Sequence, residues 1–348
     1  MKKNDVYKGF EVLDVFKIPY YDSEGIFLRH KKSGLEVFHI LNNDEENLFA
    51  FAFRTPCKDS TGVAHIIEHS VLCGSKKFPI KDPFLQLRNQ SINTYLNAYT
   101  AKDRTVFPAS SLIKTDYFNL MSVYADAVFF PILNVETFLQ EGWRIETDQN
   151  GNPVIQGVVF NEMKGNYSSF NSVATDAVLN ASVLGTGYEK DSGGDPLEIP
   201  TLSYERFREF HKKYYCAANC LVFLYGNIPT EEQLDFLDEN VIKSIKSPGE
   251  KYSFASENSC VKMKKRIDAF GPAENSKNTT ALVWKIGDSA ENENLFSLPM
   301  EISFLSELLL GNDSAPVIKL LLNKFKGCDI APQTGCSISS RFFSIAIG

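Results

Sequence analysis

Between Gly62 and Ser75 the chain reads GVAHIIEHSVLCGS, with two of its five histidines four residues apart and Glu68 directly before the second. Each residue of an α-helix advances about 100°, so His65 and His69 fall within roughly 40° of each other and Glu68 lies about 60° to the other side of His65. The three polar groups share one face. Val63, Ile66, Ile67, Val71 and Leu72 make the rest of the segment apolar, Ser60 or Thr61 can cap its start and Gly74 can end it. A fold that accepts this segment has to bury a helix with a polar patch on it. A lone histidine on an apolar face is ordinarily a core side chain with one hydrogen bond. Three polar groups together would each cost roughly 1–3 kcal/mol if buried without a partner, and a metal ion supplies the partner. Imidazoles at i and i+4 reach one ion from successive turns, and Zn²⁺ suits such nitrogen ligands with a carboxylate beside them. Glu68 would then act on a water instead of binding the metal. The order H-x-x-E-H is the commoner H-E-x-x-H constellation with the chain direction reversed.

A catalytic zinc takes three protein ligands and an open position, so a third ligand has to come from elsewhere. His30, His39, His211 and the acidic residues are the candidates. In QGVVFNEMKGNYSSF, Val158, Val159, Glu162 and Met163 share a helical face, which sets a carboxylate in an apolar stripe where it needs a cation. Glu141 and Glu146 stay open beside it, in turn-rich surroundings that suit a solvated carboxylate.

The pattern around the motif is α+β, an antiparallel sheet flanked by helices. The first fifty residues read as hairpins around Lys32-Ser33-Gly34 and Asn42-Asn43-Asp44. After the histidine helix come a short helix opened by Pro83, two strands about a turn at Lys102-Asp103, and helices over 114–128 and 136–141. A turn at 150–153 leads to one long helix from about 157 to 184. A loop, a helix over 204–214, a strand from 220 and a helix capped by Thr230 and ending near 246 complete a first domain, 1–247. The polar stretch 248–260 reads as a linker, and 261–348 as a second α+β domain with helices over 298–310 and 317–325. Its last run, RFFSIAIG, stops in mid-strand, which would leave an unpaired edge. The expectation is therefore the amino-terminal part of a longer chain, its second domain truncated.

Composition narrows the partners. Of 348 residues 43% are hydrophobic and 23% charged, the balance of a globular protein, and the net charge of −7 with no basic run argues against nucleic acid. No apolar segment follows the two lysines of MKKNDVYKGFEVLDVF, and no run approaches the roughly 20 apolar residues of a membrane span. A cytoplasmic protein without a membrane partner is expected. The seven cysteines are scattered without a C-x-x-C pair, so free thiols are expected.

HIIEH, followed in order by LNAYTAKDRTVFPAS, EGWRIE, GVVFNEMKG, SGGDP and FHKKYYCAANCLVFLYGN, resembles the pitrilysin-type zinc peptidases, or inverzincins, and most of all their presequence-protease and falcilysin branch. The likeness covers nearly the whole chain. It implies a pitrilysin/processing-peptidase-like domain followed by a second, incomplete related domain. It implies zinc held by His65, His69 and Glu162, with Glu68 as general base, and an exposed edge strand carrying Asn97, Ala98 and Tyr99 to which peptide substrates add as a further strand. Members of the family consist of two related halves closing around a chamber, so the resemblance also implies a missing carboxy-terminal half, with an arginine and a tyrosine that help bind substrate, as a partner. The activity implied is a zinc-dependent endopeptidase acting on short or unfolded peptides. A scaffold homologue that binds zinc and peptide without cleaving is the rival, and an intact Glu68 speaks against it. A zinc deaminase would need a P-C-x-x-C pair that the chain lacks.

Overall fold

Alternation along NLFAFAFR sets the architecture, because Phe49, Phe51 and Phe53 point to one side and are fully buried. In the computed structural model, which describes residues 1–81, 83–254, 279–288, 297–339 and 342–348, this run lies inside a nine-stranded sheet. Its strands are β1 (Val6–Tyr7), β2 (Phe10–Ile18), β3 (Ser23–His30), β4 (Glu36–Leu41), β5 (Asn47–Arg54), β6 (Asn93–Leu96), β7 (Tyr99–Thr100) and β8 (Arg104–Ser111). A separate hairpin, β9 (Arg144–Thr147) and β10 (Pro153–Gln156), precedes the ninth strand, β11 (Cys220–Gly226). The order is β1-β2-β3-β4-β11-β5-β8-β6, with β7 also paired to β8. Every pair is antiparallel except β11 with β4, since β11 returns to the middle of the sheet from a helix and not from a hairpin.

The helices of this region are α1 (Val63–Val71), α2 (Pro83–Gln90), α3 (Lys114–Phe129), α4 (Val135–Glu141), α5 (Val158–Asn166), α6 (Phe170–Ser182), α7 (Tyr204–Tyr214) and α8 (Thr230–Asn240). Helix α3 lies on the phenylalanine face. Tyr117 and Tyr124 meet Phe49 edge-on at 5.4 and 5.6 Å, and Phe129 meets Phe53 at 5.4 Å. Such pairs add about 0.5–1.5 kcal/mol each beyond the area they bury.

Two expected elements are broken, each for a local reason. The single strand expected across LNAYT is divided into β6 and β7 by Asn97 and Ala98. Pro108 on β8 accepts a hydrogen bond from the Asn97 amide at 3.2 Å but has no N–H to return, and the Tyr124 hydroxyl donates to the Asn97 carbonyl instead, also at 3.2 Å. The long helix expected over 157–184 is α5 and α6. Ser168 bonds back to the Gly165 carbonyl, and Ser169 caps α6 by accepting from the Ser172 amide, so the serines end one helix and start the next. Two expected caps also differ. Gly62, with φ +66°, is the N-cap of α1 in place of Ser60 or Thr61, and Pro229 is that of α8, which begins at Thr230 and ends at Asn240.

Two compact units emerge that are not contiguous in sequence. The first takes 1–56, 61–160 and 192–254, so α5 opens within it; the second takes 57–60, 161–191 and the described residues from 279 onward. The contiguous division at 247 thus misses the transfer of 57–60 and 161–191, while residues 255–260 of the expected linker and 261–278 beyond it lie outside the described residues. In the second unit β12 (Leu282–Asp288), α9 (Ser297–Leu310), α10 (Pro316–Lys324), β13 (Gly335–Ser339) and β14 (Phe342–Ile347) form a three-stranded sheet with two helices, and α6 packs on β12. Strand β14, expected to present an unpaired edge, is the central one, bonded to β12 and β13. Leu310, Ala315 and Ile318 form a core with Ile345 and Ile347. Cys216, Cys220, Cys328 and Cys336 are free thiols, and no helix among the described residues is long and apolar enough to cross a membrane.

Burial gives the first unit an acid-sensitive element. His39 is fully buried with Nδ1 2.8 Å from the Thr230 hydroxyl, and His211 Nε2 lies 2.9 Å from the Val128 carbonyl. Burial lowers both to about 4. The unfolded chain therefore takes up these protons first as pH falls from about 6.5, so the stability the neutral rings contribute is complete above that pH and is lost progressively down to about 4. For His39 the loss is on the order of 3 kcal/mol. Urea unfolding between pH 7 and 4 is expected to show this decline, and His39→Gln to reduce its slope by about one proton; an unchanged slope would count against a neutral, buried His39.

Candidate metal centre

Helix α1 is buried at Val63 to Glu68 and again at Ser70 and Val71, with His69 partly open. Three of its apolar residues, Ile66, Ile67 and Val71, are fully buried and each contributes roughly 1.5–3 kcal/mol to fixing the helix. On that anchored helix the His65 and His69 rings stand 4.9 Å apart at 82°. Glu162 follows on the second turn of α5. Ligand atoms of His65, His69 and Glu162 all lie within 4.8 Å of one another, the one such group of three found among the described residues.

The hydrogen bonds around the two imidazoles set their tautomers. A carbonyl can only accept, so His65 Nδ1, 3.0 Å from the Gly193 oxygen, carries a proton and leaves Nε2 as the ligating nitrogen of the neutral ring. That carbonyl comes close only because glycines line the approach. A Cβ on Gly62 would sit 2.7 Å from the Gly193 oxygen and 3.0 Å from Gly194 Cα, and Gly62 and Gly194 have φ of +66° and +107°. This is the physical content of SGGDP. His69 Nδ1 lies 3.4 Å from Glu141 Oε2, and Gln140 donates to Glu141 Oε1 at 2.8 Å. Burial pushes the Glu141 carboxyl up, but the hydrogen bonds from His69 and Gln140 outweigh it and hold the carboxyl below its usual range. An imidazole oriented by a carboxylate on its far nitrogen is the usual support of a ligating histidine.

Glu141, a candidate third ligand by sequence, thus stands behind His69. Glu146 is exposed and bonded to Arg144 at 2.6 Å. His30 is taken up with Ser33 at 2.8 Å, and His39 and His211 serve the core. Glu162 does join the histidines, but not from within an apolar stripe. Val159 and Met163 are buried whereas Val158 and Glu162 are exposed, so Glu162 projects from the open side of α5.

Glu68 is buried at 7% exposure and accepts a hydrogen bond from the Thr100 hydroxyl at 2.6 Å. Asn97, Ala98 and Tyr99 lie at the β6–β7 end of the sheet, Asn97 and Tyr99 exposed. Sequence reasoning missed Thr100 and Gly193, although LNAYT and SGGDP contain them. Two imidazole nitrogens and one carboxylate oxygen are the donor set of a catalytic zinc. In a tetrahedral site with bonds of ~2.1 Å the ligand atoms stand roughly 3.4 Å apart, so small side-chain rotations bring these three into one coordination sphere.

Known proteins resemble the chain in sequence and in fold. A family model described as Insulinase (Peptidase family M16) matches residues 54–175, and one described as Peptidase M16 inactive domain matches 201–347. Protein HypA of Clostridium perfringens is 38% identical over 353 residues, covering 99% of this chain and 36% of that protein. The mitochondrial presequence protease of Danio rerio is 36% identical over 349 residues, 98% of this chain and 34% of its own length. The chain thus spans about a third of the length of the curated relatives it matches. The crystal structure of pitrilysin shares the fold, with a TM-score of 0.63 at 17% identity over 97% of this chain and 35% of that one. The α+β fold, the two M16 matches and the relatives together support a pitrilysin-type M16 peptidase of the presequence-protease branch.

Proposed function

We propose that the chain is the zinc-carrying part of a metalloendopeptidase that hydrolyses short or unfolded peptides. The observation that carries this reading is the convergence of His65, His69 and Glu162, with the buried Glu68 beside His65 on the same polar face of α1. When bound, Zn²⁺ supplies the Lewis acidity that activates a water and polarises the scissile carbonyl. His65 and His69 hold it through rings fixed by Gly193 and Glu141. The Glu68 carboxylate takes the proton of the attacking water and passes it to the leaving amine as the C–N bond breaks. A metal-storage or peptide-holding scaffold has no use for a carboxylate held there.

A relative named for proteolysis of presequences supports peptide substrates. The backbone of such a peptide is proposed to pair at the sheet end formed by Asn97, Ala98 and Tyr99, where main-chain bonds tolerate many sequences. The remainder of a family-length protein is the proposed partner that closes over the site. The test is cleavage of an unstructured fluorogenic peptide by the full natural chain, abolished by a chelator and restored by Zn²⁺. An N-methylated peptide is expected to bind at least about 10-fold more weakly than its parent, the loss of a main-chain hydrogen bond and its desolvation. Undiminished activity in chelator overturns the metal reading, and equal affinity of the two peptides overturns strand addition.

A further inference from the structure

Behind Glu68 stands a line of hydroxyls. Thr100 Oγ1 lies 2.6 Å from Glu68 Oε2 and 3.4 Å from Thr105 Oγ1, and Thr105 Oγ1 lies 2.8 Å from Thr55 Oγ1. Thr105 and Thr55 are fully buried, Thr105 on β8 and Thr55 just after the end of β5. The direction of the line follows from proton counting. A carboxylate only accepts, so the single hydroxyl proton of Thr100 goes to Glu68. Thr105 must then donate to Thr100, and Thr55 to Thr105. All three O–H dipoles point the same way, toward the carboxylate, and in a buried setting such a chain strengthens its terminal bond.

We propose that Thr100 is the positioning residue for Glu68, its hydroxyl, backed by Thr105 and Thr55, fixing the carboxylate in the orientation that receives the proton of the attacking water. This rests on the peptidase reading and adds to it a role for the short strand β7. Side chains alternate along a strand, so Tyr99 is 44% exposed on one side while Thr100 turns inward to the base. The strand proposed to align the substrate backbone therefore also aims the general base. Any displacement of β7 would move both together.

Thr100→Val keeps the shape of the side chain and removes the donor, and Thr100→Ser keeps the donor. In the full natural chain Thr100→Val is expected to lower kcat by about 10- to 100-fold, the worth of a buried hydrogen bond to a charged group, with KM within about twofold and one zinc still bound per chain. Thr100→Ser is expected to recover kcat to within about threefold of the parent. Affinity for a peptide hydroxamate, which gives its proton to the same carboxylate, should fall about 10-fold in Thr100→Val while affinity for the substrate peptide holds in a Glu68→Gln background. Should Thr100→Val fail to fold, Thr105→Val removes the hydroxyl behind it, and a kcat loss of about 3- to 10-fold with unchanged zinc is the expected result. Unchanged kcat and hydroxamate affinity in Thr100→Val, a Thr100→Ser as impaired as Thr100→Val, or an unimpaired Thr105→Val where it is the variant used, overturns the inference. Activity persisting in Glu68→Gln overturns the peptidase reading itself.

Discussion

Replacing Glu68 by glutamine is expected to lower kcat for peptide hydrolysis by about 10²- to 10⁴-fold, the range a positioned general base supplies, with zinc content unchanged. The substitution is close to isosteric. A glutamine carbonyl can still accept the Thr100 hydroxyl, so the buried side chain keeps its hydrogen bond and the first unit keeps its packing. What disappears is the ability to take a proton from water and hand it to the leaving amine. His65 and His69 face Gly193 and Glu141 through their far nitrogens and are untouched by the change. Turnover of a fluorogenic peptide, read beside zinc by elemental analysis, separates loss of chemistry from loss of metal. A variant retaining more than about a tenth of parental kcat would show that proton transfer does not pass through Glu68. Glu141 would not replace it readily, because both its oxygens are engaged by His69 and Gln140.

The part of this site that could be read from sequence is the part that is local. The face shared by His65, Glu68 and His69 follows from 3.6-residue periodicity over five residues, and the apolar residues between them announce the burial that the structure shows at Ile66 and Ile67. Strands β3, β4, β5 and β11, helix α3 and helix α7 were legible for the same reason, since alternation or helical spacing persists along each. Where the outcome depended on a partner far along the chain, periodicity was silent. Thr100 reaches Glu68 across 32 residues and Gly193 reaches His65 across 128. The division of LNAYT needs Pro108 and Tyr124 together, one withholding a donor and the other supplying it. Glu162 is instructive in another way. Four residues of helix turn through about 400°, so Val158 and Glu162 stack nearly over each other while Val159 and Met163 stack about 100° further round. A single stripe through all four is too coarse, and what singles the residue out is its N-E-M-K-G setting and not its burial.

Zinc affinity is expected to fall most on loss of either histidine and less on change of either glutamate, according to how each side chain serves the ion. His65→Ala and His69→Ala each remove a ligand from the buried helix and leave nothing to replace it. A structural zinc bound by four ligands holds on the order of 10–16 kcal/mol, so a loss of roughly 10²- to 10³-fold per imidazole follows, and the purified variants should contain no stoichiometric zinc. Glu162→Gln keeps an oxygen donor but loses its charge, and because Glu162 is exposed on α5 the surroundings can adjust. About 10-fold or more is expected there. Glu141→Gln leaves all three ligands in place and replaces the charged acceptor behind His69 with a neutral one, for about 10- to 100-fold, the usual effect of an outer partner. Competition with a zinc chelator gives the affinities directly. The zinc-induced rise in melting temperature gives them independently, since a ligand that binds only the folded state stabilises by RT ln(1 + [L]/Kd). The ranking carries the assignment. If Glu162→Gln binds zinc as tightly as the parent while Glu141→Gln loses it like a histidine variant, the carboxylate ligand is Glu141, turned away from its place beside His69 Nδ1, and Glu162 is no ligand.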